Sequence, residues 1–170
     1  LTLMRREEEI REIRHDAIVR YSENHRTPTG LIYLVMDYVE GPALDAKMKT
    51  GGMSAPDLVA VCRRVADGLK VAHGRRISHR DLSPDNVFVV KRGGEDFVKV
   101  LDFGVAKLRD AGDDRASTMS GMILGTPHYM SPEQARGKPV DRSADVWAAG
   151  VVLYEVLAGQ PPFDGETMTA

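Results

Sequence analysis

Residues 79–104 read HRDLSPDNVFVVKRGGEDFVKVLDFG, and the pattern inside this stretch decides how the chain folds around it. Two runs, VFVV at 87–90 and FVKVL at 97–101, are short, apolar and rich in β-branched and aromatic residues. KRGGED between them carries a Gly-Gly pair suited to a tight turn, so the two runs predict a β-hairpin. A hairpin brings its outer ends together. The loop before the first strand holds Asp81 and Asn86 around Pro84, and Asp102 stands where the second strand ends. The hairpin therefore gathers two carboxylates and an amide at one place. Carboxylate and amide oxygens are hard ligands of the kind Mg²⁺ uses in small number, filling its shell with phosphate oxygens. A further carboxylate nearby can accept a hydroxyl proton. These are the minimum parts for metal-assisted phosphoryl transfer.

Working outward, residues 54–74 predict the clearest amphipathic helix. Ser54 and Asp57 form a capping-box-like start with Pro56 in the first turn, and Leu58, Val61, Cys62, Val65, Leu69 and Ala72 follow at helical spacing. Cys62 lies on that stripe and reads as a packing residue rather than a reactive thiol. AIVRY at 17–21 and LIYLVM at 31–36, separated by the turn signal TPTG, predict two antiparallel strands. Residues 3–14, LMRREEEIREIR, predict an exposed helix with Leu3, Met4, Ile10 and Ile13 as its apolar positions. Residues 109–121 are small and polar and read as a mobile loop. Residues 143–159 are apolar almost all round, which predicts a helix buried on every side.

Bulk composition bounds the rest. The chain has 170 residues, 42% hydrophobic and 28% charged, as in a soluble domain with its own core. A net charge of −2 supplies no basic field for nucleic acid or anionic lipid. One cysteine excludes an internal disulfide and fits a reducing compartment, and five scattered histidines form no ligand cluster. The longest apolar run, 146–159, falls short of the roughly 20 residues a bilayer span needs. No signal peptide is visible, because the first apolar residues are followed at once by RREEE.

Four motifs in order, HRDLSPDN, LDFG, GTPHYMSPE and DVWAAGVVLYEVLAGQPPF, resemble a eukaryotic-type protein kinase domain of the bacterial Ser/Thr kind. The resemblance covers the whole chain and implies a partial α+β kinase-like fold. Residues 1–36 would be a small-lobe remnant of one helix and two strands, 37–40 the hinge, and 41–170 an incomplete large lobe with its activation segment at 102–133.

The resemblance also implies roles. Asp81 matches the base that takes the substrate hydroxyl proton. Asn86 and Asp102 match the Mg²⁺ ligands. YLVMDYVEG resembles the hinge that grips adenine, with Met36 as gatekeeper, Asp37 and Val39 offering backbone hydrogen bonds, and Phe88 under the ring. Asp85 would face the ribose or help hold the loop. Arg80 matches the arginine that pairs with a phosphorylated activation loop, where Thr118, Ser120 and Ser117 are the candidate sites. Thr126 matches the residue whose hydroxyl holds the catalytic aspartate. His79 resembles a buried spine residue, Glu133 a buried glutamate, and Asp145 the aspartate that braces the loop from the central helix.

Three departures stand beside these matches. A glycine-rich phosphate loop and a V-A-I-K lysine would precede the first helix and are not in this sequence, so the isolated chain is expected to show no appreciable kinase activity. The regulatory-helix glutamate position falls on Arg6, with Glu7 about 100° away around a helix. Ser83 stands where Ser/Thr kinases carry a lysine that touches the transferred phosphate, a change expected to lower the rate by roughly 10²-fold if nothing compensates.

The function implied is ATP- and Mg²⁺-dependent phosphorylation of protein Ser/Thr hydroxyls. Kinase dimers for activation-loop autophosphorylation are a further implied partner. The expected location is cytoplasmic, with any membrane anchor outside this sequence. The alternative is a pseudokinase or kinase-like interaction module. Small-molecule phosphotransferases share the Asp…Asn…Asp geometry but generally lack a GTPHYMSPE-like segment. An unsatisfied apolar surface is expected near 146–163.

Overall fold

The computed structural model describes residues 8–29, 32–51, 53–103 and 127–163. Residues 8–11 are helical, and Ile10 and Ile13 are each only 3% exposed. The expectation of an exposed helix is thus corrected for its described end: both isoleucines enter the core, where the rest of the apolar cluster meets them. Leu3, Met4, Arg6 and Glu7 lie outside the described residues.

Two strands follow, β1 at Tyr21–Arg26 and β2 at Ile32–Met36, paired antiparallel with Tyr21 opposite Met36 and Arg26 opposite Ile32. The pairing matches the sequence pattern, but the first strand is displaced along the chain. Ala17 to Val19 spend their backbone groups elsewhere. Val100 N–H donates to Ala17 C=O at 2.8 Å and Val19 N–H donates to Val100 C=O at 3.0 Å. Ile18 and Val19 are buried by this contact. Only the residues after it are left to pair around the TPTG turn.

After Met36 the chain crosses the second hairpin at close range. A Cβ at Gly41 would lie 2.4 Å from the Val89 carbonyl oxygen, so a side chain cannot be placed there. A short helix, α1 at Leu44–Thr50, follows with Leu44 fully buried. Sequence reasoning passed over it. Its start, Ala43, has no side-chain cap, and its clearest local signal is the Asp45–Lys49 pair one turn apart at 3.2 Å.

The next helix, α2 at Ala55–Gly74, begins with the capping box: the Ser54 hydroxyl accepts from Asp57 N–H, and the Asp57 carboxylate accepts from Ser54 N–H. Val61, Val65, Leu69 and Ala72 make its buried stripe. Cys62 is half-buried beside them, and burial pushes its thiol up to about 11. That agrees with a packing role.

The predicted hairpin is β3 at Val87–Arg92 and β4 at Glu95–Val100, from Val87 opposite Val100 to Arg92 opposite Glu95. Its two-residue turn is Gly93-Gly94 with φ of 57° and 89°, left-handed values that glycine adopts without strain. Val87, Val89, Val98 and Val100 face inward.

Beyond residue 127 come α3 at Pro132–Ala135 and α4 at Ser143–Ala158. α2 packs between α4 and β4. The expectation that the last helix is buried all round is corrected. Ala148, Val151, Val152 and Val156 are buried, whereas Val146 is 65% and Leu157 53% exposed. Those exposed side chains, with Tyr154 and Phe163, form the apolar surface expected at 146–163. Val146, Tyr154 and Phe163, together with α2, line an open groove of about 1200 Å³. No described helix is long and apolar enough to cross a membrane.

Candidate active site

The loop from Ile77 to Asn86 is held from three directions. From α4, the fully buried Asp145 carboxylate accepts the His79 N–H on Oδ2 at 2.8 Å and the Arg80 N–H on Oδ1 at 2.7 Å. His73, near the end of α2, donates Nε2–H to the same Oδ2 at 2.6 Å. From α3, Gln134 donates Nε2–H to the Arg80 carbonyl at 2.7 Å. Its Oε1 accepts the Ser131 N–H at 3.1 Å, closing the capping box that starts this helix. From the hairpin, Leu101 C=O receives the His79 Nε2–H at 2.7 Å. These bonds hold Arg80 at φ 69°, a left-handed conformation that a side chain normally avoids.

His79 is wholly buried and packs edge-on against Phe103, ring centroids 4.8 Å apart. Its Nδ1 accepts the Asp81 N–H at 3.3 Å, which leaves the ring proton on Nε2. Burial lowers its pKa, against a smaller opposing pull from Asp145, so the ring is neutral.

Asp81, Asn86 and Asp102 are brought to one edge of the hairpin. The Asn86 side chain donates Nδ2–H to the Asp81 carbonyl at 2.8 Å, and the Asn86 carbonyl accepts the Leu101 N–H at 2.9 Å. Asp102 follows at once, half-exposed, with φ of 60°. The Asn86 amide nitrogen is engaged, so its Oδ1 is the atom left to face a ligand. One carboxylate and one amide oxygen suit a cation that takes most of its ligands from phosphate and water. Among the described residues no group of three His, Cys, Asp or Glu forms a cage of its own. The donor set therefore fits Mg²⁺ brought in with a nucleotide.

Ser83 is only 3% exposed, and its carbonyl accepts the Asn86 N–H at 3.1 Å within the turn Pro84–Asn86. Asp85 stands exposed on that turn. Partial burial and the neighbouring Asp45 carboxylate on α1 raise its pKa.

Along the strand β2 and the segment after it, Met36 is 40% exposed, Asp37 exposed and Val39 half-buried. Asp37 N–H is bound to the Arg20 carbonyl at 2.9 Å, so its carbonyl is the group left to offer. Phe88 lies opposite Ala43, beside this segment. Arg80 donates Nη2–H to Val140 C=O at 3.1 Å. Glu133 accepts from the Ser143 hydroxyl at 3.4 Å. Ser117, Thr118, Ser120 and Thr126 lie outside the described residues. Sequence reasoning missed His73 and Gln134. Gln134 carried a signal, the Ser131-x-x-Gln134 capping pattern, but nothing local shows that its amide reaches Arg80.

A helix-held loop, a hairpin with acidic and amide groups at its ends, and a capped α3 leading to a buried central aspartate define a partial α+β protein-kinase fold. A family model described as protein kinase domain matches residues 2–170, and the chain belongs to that family. It is 46% identical over 159 residues to the serine/threonine-protein kinase Pkn1 of Myxococcus xanthus, covering 93% of this chain and 22% of the relative. It is 43% identical over 141 residues to the serine/threonine-protein kinase pkn3 of the same organism, covering 81% and 26%. With the serine/threonine-protein kinase PknB of Mycolicibacterium smegmatis the identity is 40% over 163 residues, covering 93% and 25%. The chain thus spans about a quarter or less of the length of these relatives.

Proposed function

We propose that the protein carrying this chain transfers the γ-phosphoryl group of ATP to Ser or Thr hydroxyls of other proteins. The observation that carries the reading is the tie between Asn86 and Asp81, 2.8 Å from amide nitrogen to carbonyl oxygen, on a loop clamped by Asp145. It keeps the Asn86 amide against the backbone of Asp81, which supports reading the two as neighbouring parts of one site. Asp81 accepts the substrate hydroxyl proton. Asn86 Oδ1 and the Asp102 carboxylate hold Mg²⁺, which when bound neutralises charge on the β- and γ-phosphates. Residues 1–36 and 41–170 belong to the small and large lobes, joined at 37–40. The carbonyl of Asp37 and the backbone of Val39 meet the adenine, Met36 guards its pocket and Phe88 lies beneath it. Thr126 holds Asp81, and phosphate on Thr118, Ser120 or Ser117 pairs with Arg80. The relatives' printed names support protein hydroxyls as the acceptors.

The test is Asp81→Asn in the protein expressed from the whole reading frame. A fall of about 10³-fold in radiolabelled phosphate transfer is expected, with ATP affinity retained. Unchanged transfer refutes the assigned base.

One observation favours a second reading, a kinase-like module without phosphotransfer. Ser83 is neutral and buried where a cation would otherwise meet the transferred phosphate. A whole protein that shows no thermal stabilisation by ATP with Mg²⁺ supports this second reading.

A further inference from the structure

The peptide unit between Arg80 and Asp81 is held at both ends. Its carbonyl accepts Gln134 Nε2–H at 2.7 Å, and its N–H, that of Asp81, donates to His79 Nδ1 at 3.3 Å. The bond from Gln134 is the shorter, and it comes from a distant part of the chain, the first turn of α3. Arg80 N–H is fixed on Asp145 at 2.7 Å, and Arg80 sits at φ 69°. With that nitrogen held, relaxing φ to an ordinary negative value swings the carbonyl side of Arg80, and so turns the unit that carries Asp81. Gln134 grips the atom that would move.

The residue type at 134 points the same way. Gln134 stands third in α3, where its Oε1 accepts Ser131 N–H at 3.1 Å and closes the capping box. A glutamate closes such a box as well, and its charge suits a helix N-terminus better. In α2 the same position does hold a carboxylate, Asp57. At 134 there is a second demand. One end of the side chain must accept from Ser131 N–H, and the other must donate to the Arg80 carbonyl, which can only accept. An amide meets both demands and an ionised glutamate cannot.

We propose that Gln134 is a positioning residue for Asp81: its amide holds the peptide unit before the base, so that the aim of the carboxylate depends on the seating of α3. The inference rests on the kinase reading given above. Ser131 is fully buried just past the helical turn Pro127–Tyr129. A displacement of that segment therefore reaches Gln134 through the box, and the loop through Gln134.

The experiment uses the whole protein as wild type, Gln134→Glu and Ser131→Ala. Gln134→Glu keeps the box and deletes the donor, whereas Ser131→Ala removes the hydroxyl from the box and keeps the donor. Initial rates of radiolabelled phosphate transfer, to casein and to the protein itself, are measured over a range of ATP concentrations with Mg²⁺. Amide exchange at Asp81 is followed alongside. For Gln134→Glu the maximal rate is expected to fall about tenfold or more, with KM for ATP within about twofold of wild type and faster exchange at Asp81. Ser131→Ala is expected to stay within about threefold of the wild-type rate. A Gln134→Glu rate within about twofold of wild type overturns the proposal, and so does an equal fall in both variants, which would assign the effect to the helix start. A loss that appears in KM for ATP rather than in the maximal rate overturns it too. Should Gln134→Glu not fold, Gln134→Met takes its place: a loss of rate confined to it supports the proposal, and one shared with Ser131→Ala overturns it. A wild type that transfers no phosphate refutes the kinase reading, and this inference falls with it. An active wild type with an equally active Gln134→Glu refutes the inference alone.

Discussion

Replacing Asp145 by Asn removes the charge from the clamp while keeping its shape. The wild-type carboxylate is fully buried and accepts from His73 at 2.6 Å, His79 at 2.8 Å and Arg80 at 2.7 Å. An amide has one acceptor oxygen, so its NH₂ must face at least one of these donors. A buried hydrogen bond to a charged group contributes roughly 1.5–3 kcal/mol, and a buried donor left without a partner costs about 1–3 kcal/mol. Against this, the carboxylate's own desolvation is relieved, which offsets part of the loss. The net is a destabilisation of about 3 kcal/mol. For a domain of this size that lowers Tm by roughly 6–12 °C. The left-handed Arg80 is strained by about 1–2 kcal/mol and relaxes once released. Asp81 then loses its fixed direction, and phosphate transfer by the whole protein is expected to fall at least 10²-fold. The assays are thermal unfolding and amide hydrogen exchange at His79 and Arg80, where exchange quickens beyond the change in global stability. A Tm within 2 °C of wild type, with the two amides still protected, would refute the clamp.

Other outcomes follow from single groups. Burial holds the His79 pKa below its ordinary 6.5, so the unfolded chain binds more protons at acid pH and folding weakens as pH falls below 6.5. The slope from this group approaches 1.36 kcal/mol per pH unit, and His79→Phe should flatten it in urea unfolding between pH 6.5 and 5. Asp85 has the opposite sign. Its pKa is raised by partial burial and by Asp45, so the stability it forfeits grows as pH rises through the folded value. Asp85→Asn is expected to stabilise at pH 7 by on the order of 0.5 kcal/mol, allowing for its exposure to water, and to have no effect below pH 3.8. A gain that persists in acid counts against the carboxylate pair. Cys62, with its thiol near 11, should react with a thiol reagent at pH 8 about a hundredfold more slowly than an ordinary thiol until the protein is unfolded.

The hairpin and α2 were legible because their signals are local. Gly93 and Gly94 supply the turn conformation themselves, and Ser54 and Asp57 cap the helix on which they stand. The displaced start of β1 was not legible. Ala17 to Val19 have the composition of a strand, but whether they pair with β2 or with Val100 is settled by a residue some eighty positions away. α4 shows a related limit: its apolar composition predicts burial all round, while its packing in the structure leaves Val146 and Leu157 in the open. At the site, motif residues could be read one by one. The groups that hold them could not, because His73 and Gln134 act through contacts that no spacing in the sequence records.

Those contacts also explain why the loop keeps a shape its own residues disfavour. Arg80 and Asp102 both sit in left-handed backbone, each at an expense of roughly 1–2 kcal/mol for a residue with a side chain. Nothing in HRDLSPDN or LDFG favours those angles locally. They are imposed at Arg80 by Asp145 on its N–H and Gln134 on its carbonyl, from two helices that reach the loop independently. Before Asp102, they are supported by Leu101, whose carbonyl receives His79 and whose N–H reaches Asn86. Leu101 therefore couples the two strained points, since moving either one breaks a bond to the other. Loosening α3 by Gln134→Ala should accordingly be felt beyond Arg80, with faster amide exchange at both Arg80 and Leu101. Faster exchange at Arg80 alone would mean that the two ends of the site are held separately and that Leu101 is no more than a strand terminus.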